Sequence, residues 1–151
     1  NQIAGIKEQG FNAVHLYTET FNPGYPSAGS TPGYAVAEVD KIVQRTRDEG
    51  LYLIMTIGNG AYNGSFNRQF VLDFWTLYAD RYKNETHVIF EIQNEPFAWG
   101  PSYDDATLQM EADAYVLIRS KAPDTPILLM SYSVLGSGSA ALSDIDKVKA
   151  K

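Results

Sequence analysis

Two hydrophobic patterns alternate along this chain. Short apolar runs suit buried strands, and longer stretches with apolar positions every third or fourth residue suit helices packed on one side. Residues 2–9 read as the end of a helix closed by Gly10, a usual helix C-terminal residue. Phe11-Asn12-Ala13-Val14-His15-Leu16-Tyr17 is the first strand-like run. Thr18 to Tyr34, with Pro23, Pro26, Pro32 and interspersed glycines, reads as a long loop. Residues 35–49 are helical in pattern, with Val36, Val39, Ile42 and Val43 on one face, and Gly50 ends them. Leu51 to Ile57 is a second strand, apolar on both faces, as in a parallel sheet covered on both sides. A polar loop, 58–65, precedes a helix over 66–82 with Phe70, Phe74, Leu77 and Tyr78 aligned. The aromatics Phe70, Phe74, Trp75 and Tyr78 are core residues by spacing. His87 to Gln93 is a third strand, Asn94 to Asp104 a loop rich in aromatics and proline, and 105–121 a helix. Asp104-Asp105 is most simply that helix's N-cap. Ile127 to Met130 is a fourth strand. Ser131 to Ser143 reads as a Ser/Gly-rich loop, and Asp144 to Lys151 as the start of another helix.

Strands separated by helices predict a parallel α/β layout, a single domain over residues 1–151. The links before the strands are short and those after them long and polar. That asymmetry fits an active site built on the C-terminal ends of barrel strands, although open α/β sheets also bind ligands there. No Gly-x-Gly-x-x-Gly loop accompanies the pattern, which removes the usual dinucleotide fingerprint. An esterase-type Gly-x-Ser-x-Gly elbow is also missing. The formal charge of −6, without a Lys/Arg run, gives no electrostatic reason to bind nucleic acid or anionic lipid. No apolar run approaches the ~20 residues that span a bilayer, and no signal peptide is visible. Cysteine is absent, and no His–carboxylate spacing suits a metal, so neither a catalytic metal nor a cofactor is expected.

The informative segment is Phe90-Glu91-Ile92-Gln93-Asn94-Glu95-Pro96. Burying polar groups costs roughly 1–3 kcal/mol each unless they are bonded, so two carboxyl groups and two amides in one short strand call for a reason. Strand alternation sends Glu91, Gln93 and Glu95 to one side, inward if the sheet is a barrel. Glu95 then stands at the mouth with Asn94 beside it, and Glu91 is expected as a buried, hydrogen-bonded barrel residue.

Asn94-Glu95-Pro96 at the end of an apolar strand resembles the acid/base motif of the retaining barrel glycosidases. Val88 to Pro96 is similar to the fourth strand of glycoside hydrolase family 5, which includes cellulases and mannanases. Gly10-Phe11-Asn12-Ala13-Val14 and Gly50-Leu51-Tyr52-Leu53-Ile54 resemble the approaches to that family's second and third strands. The resemblance implies strands 2 to 5 of a (β/α)8 barrel, a partial barrel or half-barrel, acting on a β-linked oligo- or polysaccharide outside the cell. It implies that Glu95 protonates the glycosidic oxygen and later deprotonates water, while Asn94 holds the sugar 2-hydroxyl. The family's nucleophile is a Glu at the end of the seventh strand, but the last glutamate of this chain is Glu111, on a helix. Where the family has Arg on its second strand this chain has His15, and near the end of the third, where it has His, this chain has Thr56, Ile57, Gly58 and Asn59.

Sugars stack their C–H faces on aromatic rings. The loop aromatics Phe21, Tyr25, Tyr34, Tyr62, Phe97, Trp99, Tyr103 and Tyr132 are therefore divided between sugar contacts and rings that pack their own loops. Trp99 is the leading platform, with Tyr62, Phe97, Tyr132 and Tyr17 as further contacts. His15 is read first as a hydrogen-bonded core histidine and second as a sugar contact, and His87 as structural. Glu19 is the nearest substitute for a second carboxylate, about 10 Å from Glu95 across two strand spacings of ~4.8 Å. Two readings stand: an endo-acting β-glycanase, or a carbohydrate-binding barrel remnant that lacks the nucleophile. A four-strand slice also leaves edges and an inner face to cover, so a homo-oligomer is expected, with Ala13–Tyr17 and Ile127–Met130 as pairing edges.

Overall fold

The computed structural model describes residues 2–20, 31–58, 67–94, 105–129 and 138–151, leaving aside the side chains of residues 107, 140, 141 and 144. The elements are α1 (Gln2–Glu8), β1 (Ala13–Glu19), α2 (Val36–Asp48), β2 (Tyr52–Ile57), α3 (Arg68–Tyr82), β3 (Val88–Glu91), α4 (Asp105–Lys121), β4 (Ile127–Leu128) and α5 (Gly138–Lys149). The strands form one parallel sheet in the order β1-β2-β3-β4. Strand order that follows chain order is the arrangement of a (β/α) barrel, whereas a doubly wound sheet reverses order at its switch point.

One face of the sheet packs on the helices. Leu53, Met55 and Ile57 of β2 and Val88, Phe90 and Ile92 at β3 are fully buried there with Phe70, Phe74, Trp75 and Tyr78 of α3. The Trp75 ring lies 4.9 Å from Phe74 and 5.0 Å from Phe90, edge-on and tilted geometries that aromatic quadrupoles favour. The other face is open. Tyr17 and Tyr52 are 56% and 54% exposed, Leu128 is 43% exposed, and Ile54 and Ile89 are half-buried. The expectation of cover on both faces is met on the helix side alone among the described residues.

Gly10 (φ 87°) and Gly50 (φ 64°) close α1 and α2 in the left-handed conformation that glycine adopts freely. Asn67 caps α3, its side chain accepting from Phe70 N at 3.0 Å. Two expected boundaries move. β4 keeps only Ile127 and Leu128 in the ladder. The tail read as a loop to Ser143 is helical from Gly138, and Val148 of this helix buries itself with Leu108 and Ala112 of α4. The Ser/Gly signal loses here because Ala140-Ala141-Leu142 are strong helix formers and the helix has an apolar neighbour to pack on.

Candidate active site at the strand ends

The C-terminal ends of β1, β2 and β3 meet around Ile57. β1 carries an irregularity between Tyr17 and Glu19: Tyr17 pairs with Thr56, and Glu19 pairs with the very next residue, Ile57. The bulge turns Glu19 to the side of Ile57, which is the helix side. There Glu19 is 3% exposed. Its Oε1 accepts from Ala35 N at 2.8 Å and from the Tyr78 hydroxyl at 2.6 Å, and Oε2 accepts from Gly33 N at 2.8 Å. Gly33, at φ 106°, reaches this position because it lacks a side chain. Burial and the adjacent Glu19 carboxylate push the Tyr78 phenol pKa well up, so Tyr78 stays a donor. Glu19 therefore does not fit its expected role as a sugar contact or substitute carboxylate. The first strand-like run of the sequence ends at Tyr17, whereas the strand itself runs on through a bulge to Glu19.

β3 breaks its own ladder one step later. Phe90 N and Ile92 N donate to Pro126 O and Leu128 O on the β4 side, while Asn94 N donates to Ile57 O of β2 at 3.1 Å. The direction of the N–H groups reverses between Ile92 and Asn94. The Ile92 carbonyl is taken by the Trp75 indole N–H at 2.9 Å. Simple alternation from Glu91 through Gln93 to Glu95 is thus interrupted. The half-buried Asn94 is anchored to the end of β2. Gln93 is fully buried, and neither polar atom of its amide has a hydrogen-bond partner among the described residues. Sequence reasoning passed over Trp75 as a positioning group, although a buried indole N–H always requires an acceptor.

On the open face, His15 Nε2 meets Glu91 Oε2 at 2.5 Å, with the two side chains 39% and 19% exposed. His15 is hydrogen-bonded as expected, but on the open face and not in the core. Its ring stands edge-on to Tyr17 at 5.1 Å. Tyr17 in turn lies against Gly58, where a Cβ would come within 2.8 Å of the Tyr17 Cβ. Tyr34 packs its own loop, its phenol donating to Thr20 O and accepting from Thr20 N. His87, at the opposite rim, has Nε2 3.0 Å from Val43 O and 3.2 Å from Thr46 Oγ1, a structural setting. Among the described residues, no group of three His, Cys, Asp or Glu is placed to hold a metal. No helix among them is long and apolar enough to cross a membrane. Glu95, Trp99, Tyr62, Phe97 and Tyr132, with Phe21, Tyr25 and Tyr103, lie outside the described residues.

The sheet thus gathers an amide (Asn94), a hydrogen-bonded imidazole–carboxylate pair (His15–Glu91) and an exposed phenol (Tyr17) on or beside its open face. The cellulase (glycosyl hydrolase family 5) profile matches residues 1–147. The chain belongs to glycoside hydrolase family 5. Solved structures share its fold at low identity. The catalytic domain of a mannanase from Streptomyces sp. SirexAA-E matches at 18% identity and TM-score 0.65, over 97% of this chain and 48% of that one. The catalytic domain of the Thermobifida fusca endoglucanase Cel5A, a variant in complex with cellotetraose, matches at 21% identity and TM-score 0.64, over 91% and 44%. A broad-specificity endoglucanase from an uncultured bovine rumen ciliate matches at 21% identity and TM-score 0.64, over 84% and 39%. The chain spans less than half the length of these structures, and its sheet is a partial (β/α) barrel. No curated protein matches the sequence.

Proposed function

We propose that this chain carries the acid/base half of an endo-acting β-glycanase, with Glu95 as the proton donor and acceptor and Asn94 as the partner of the sugar 2-hydroxyl. The observation that carries this reading is the family match over residues 1–147, with Asn94-Glu95-Pro96 falling just beyond the end of β3. Glu95 would protonate the glycosidic oxygen as the C–O bond breaks, then take a proton from the water that attacks the anomeric carbon. A retaining enzyme needs a second carboxylate about 5–5.5 Å from the first. Glu19, the nearest substitute in the sequence, is committed to the fold. Exposed Tyr17 and its neighbour His15 support a sugar-facing floor on β1, and Trp99, Tyr62, Phe97 and Tyr132 are the remaining proposed contacts. The solved relatives named as endoglucanases and a mannanase support a β-linked glucan or mannan as substrate, and family likeness supports action outside the cell.

The test is turnover of a soluble cellulose derivative and an aryl β-glycoside by the wild type and Glu95→Gln. Activity in the wild type that is lost in the variant supports the glycosidase. Binding of an oligosaccharide without turnover by either protein identifies a carbohydrate-binding remnant instead.

A further inference from the structure

His15 and Glu91 are not neighbours across one ladder. His15 pairs with Ile54 and Glu91 with Thr56, so the whole of β2 lies between them. At ~4.8 Å per strand and two residues of stagger along the strands, their backbones are roughly 12 Å apart. Their side chains still meet, Nε2 to Oε2, at 2.5 Å over the open face. Two side chains that lean over an intervening strand and bond tie the two outer strands across that face, and a short hydrogen bond tolerates little change in the distance between its own atoms. The strands place no other carboxylate, imidazole or cation on this face.

The tie sits where it can steer the strand end. Glu91 is the last ladder residue of β3, paired to Thr56 on one side and Leu128 on the other. Immediately beyond it the N–H direction reverses and Asn94 docks on Ile57 O. The angle at which β3 leaves Glu91 therefore bears on where Asn94 stands relative to β1. We propose that His15 and Glu91 are a positioning pair: their cross-strand bond sets the curvature of the sheet at Asn94, and with it the approach of the acid/base carboxyl group to the glycosidic oxygen. This rests on the glycosidase reading above.

Steady-state kinetics of the 151-residue chain on the aryl β-glycoside test it. His15→Gln and Glu91→Gln should each lower kcat on the order of ten- to a hundredfold, the scale of a misplaced reacting group. For Glu91→Gln, KM should stay within about twofold, since the loss is confined to the transition state. The double variant should be no slower than the slower single one, because both changes cut the same bond. The exchange of the two residues, His15→Glu with Glu91→His, should restore most of the lost kcat. Glu91→Asp, which keeps the charge but shortens the reach, should also be slow while its circular dichroism stays native. Lowered thermal midpoints with kcat per folded molecule unchanged would assign the pair to fold support and overturn the proposal. So would full additivity in the double variant. If the pair variants keep wild-type kcat while Glu95→Gln is inactive, the pair fails and the glycosidase reading stands. If the wild type has no turnover, or Glu95→Gln keeps it, both fall.

Discussion

Two polar side chains shape the strand ends from behind the sheet. Trp75 takes the Ile92 carbonyl and Glu19 ties Gly33, Ala35 and Tyr78. Trp75→Phe keeps the ring and leaves a buried carbonyl without a donor, so it should destabilise by about 1–3 kcal/mol in chemical denaturation. Glu19→Gln should cost a similar amount, on the order of 1–3 kcal/mol, because an amide replaces a carboxylate that accepts from three groups. If Glu19 is structural, that variant should retain oligosaccharide affinity by calorimetry once folded. Gly58→Ala should crowd Tyr17 at its Cβ, which cannot swing aside like a side-chain tip, and cost roughly 1–3 kcal/mol. At this scale the sequence was legible where a residue's role is local. Gly10 and Gly50 announce helix ends because only their backbone matters. Glu19 and His15 were not legible. The side Glu19 faces depends on a bulge, and the partner of His15 lies 76 residues away.

Among the helices, α2 and α3 are latched by one cluster. Asp40 accepts from the Arg81 guanidinium and, at 2.7 Å, from the Tyr82 hydroxyl. The Arg81 hydrogen bond holds the Asp40 carboxyl below its usual pKa, and burial and Asp40 hold the Tyr82 phenol above its own. A depressed folded-state pKa means the stabilisation is full above the unfolded value, ~3.9, and is lost as pH falls through the lower folded value. The ion pair is partly exposed and screened, so its share is at most about 1 kcal/mol. The thermal midpoints of wild type and Asp40→Asn should therefore differ at neutral pH and converge in acid. Helices α2 and α3 were readable from their apolar spacing. α5 was not, because its identity rests on the contact of Val148 with Leu108 and Ala112, which no local composition reports.

For the molecule as a whole, the alternation of strands and helices was enough to predict the parallel sheet, and the family resemblance implied its order. Which face stays open was not, since apolar runs in β2 look the same whether one side is covered or two. Exposed Tyr17, Tyr52 and Leu128 on the open face lead us to expect self-association, with β1 and β4 as the edges of the sheet among the described residues. Light scattering at micromolar concentration checks this, and a monodisperse monomer would refute it. The order of the strands also bears on how the chain is made. Each strand lies beside the one synthesised just before it. β1 and β2 are complete in the chain by Ile57, well ahead of β3, which begins at Val88. No later strand has to be inserted between two that have already paired, so the sheet can be laid down at the pace of translation, one strand at a time.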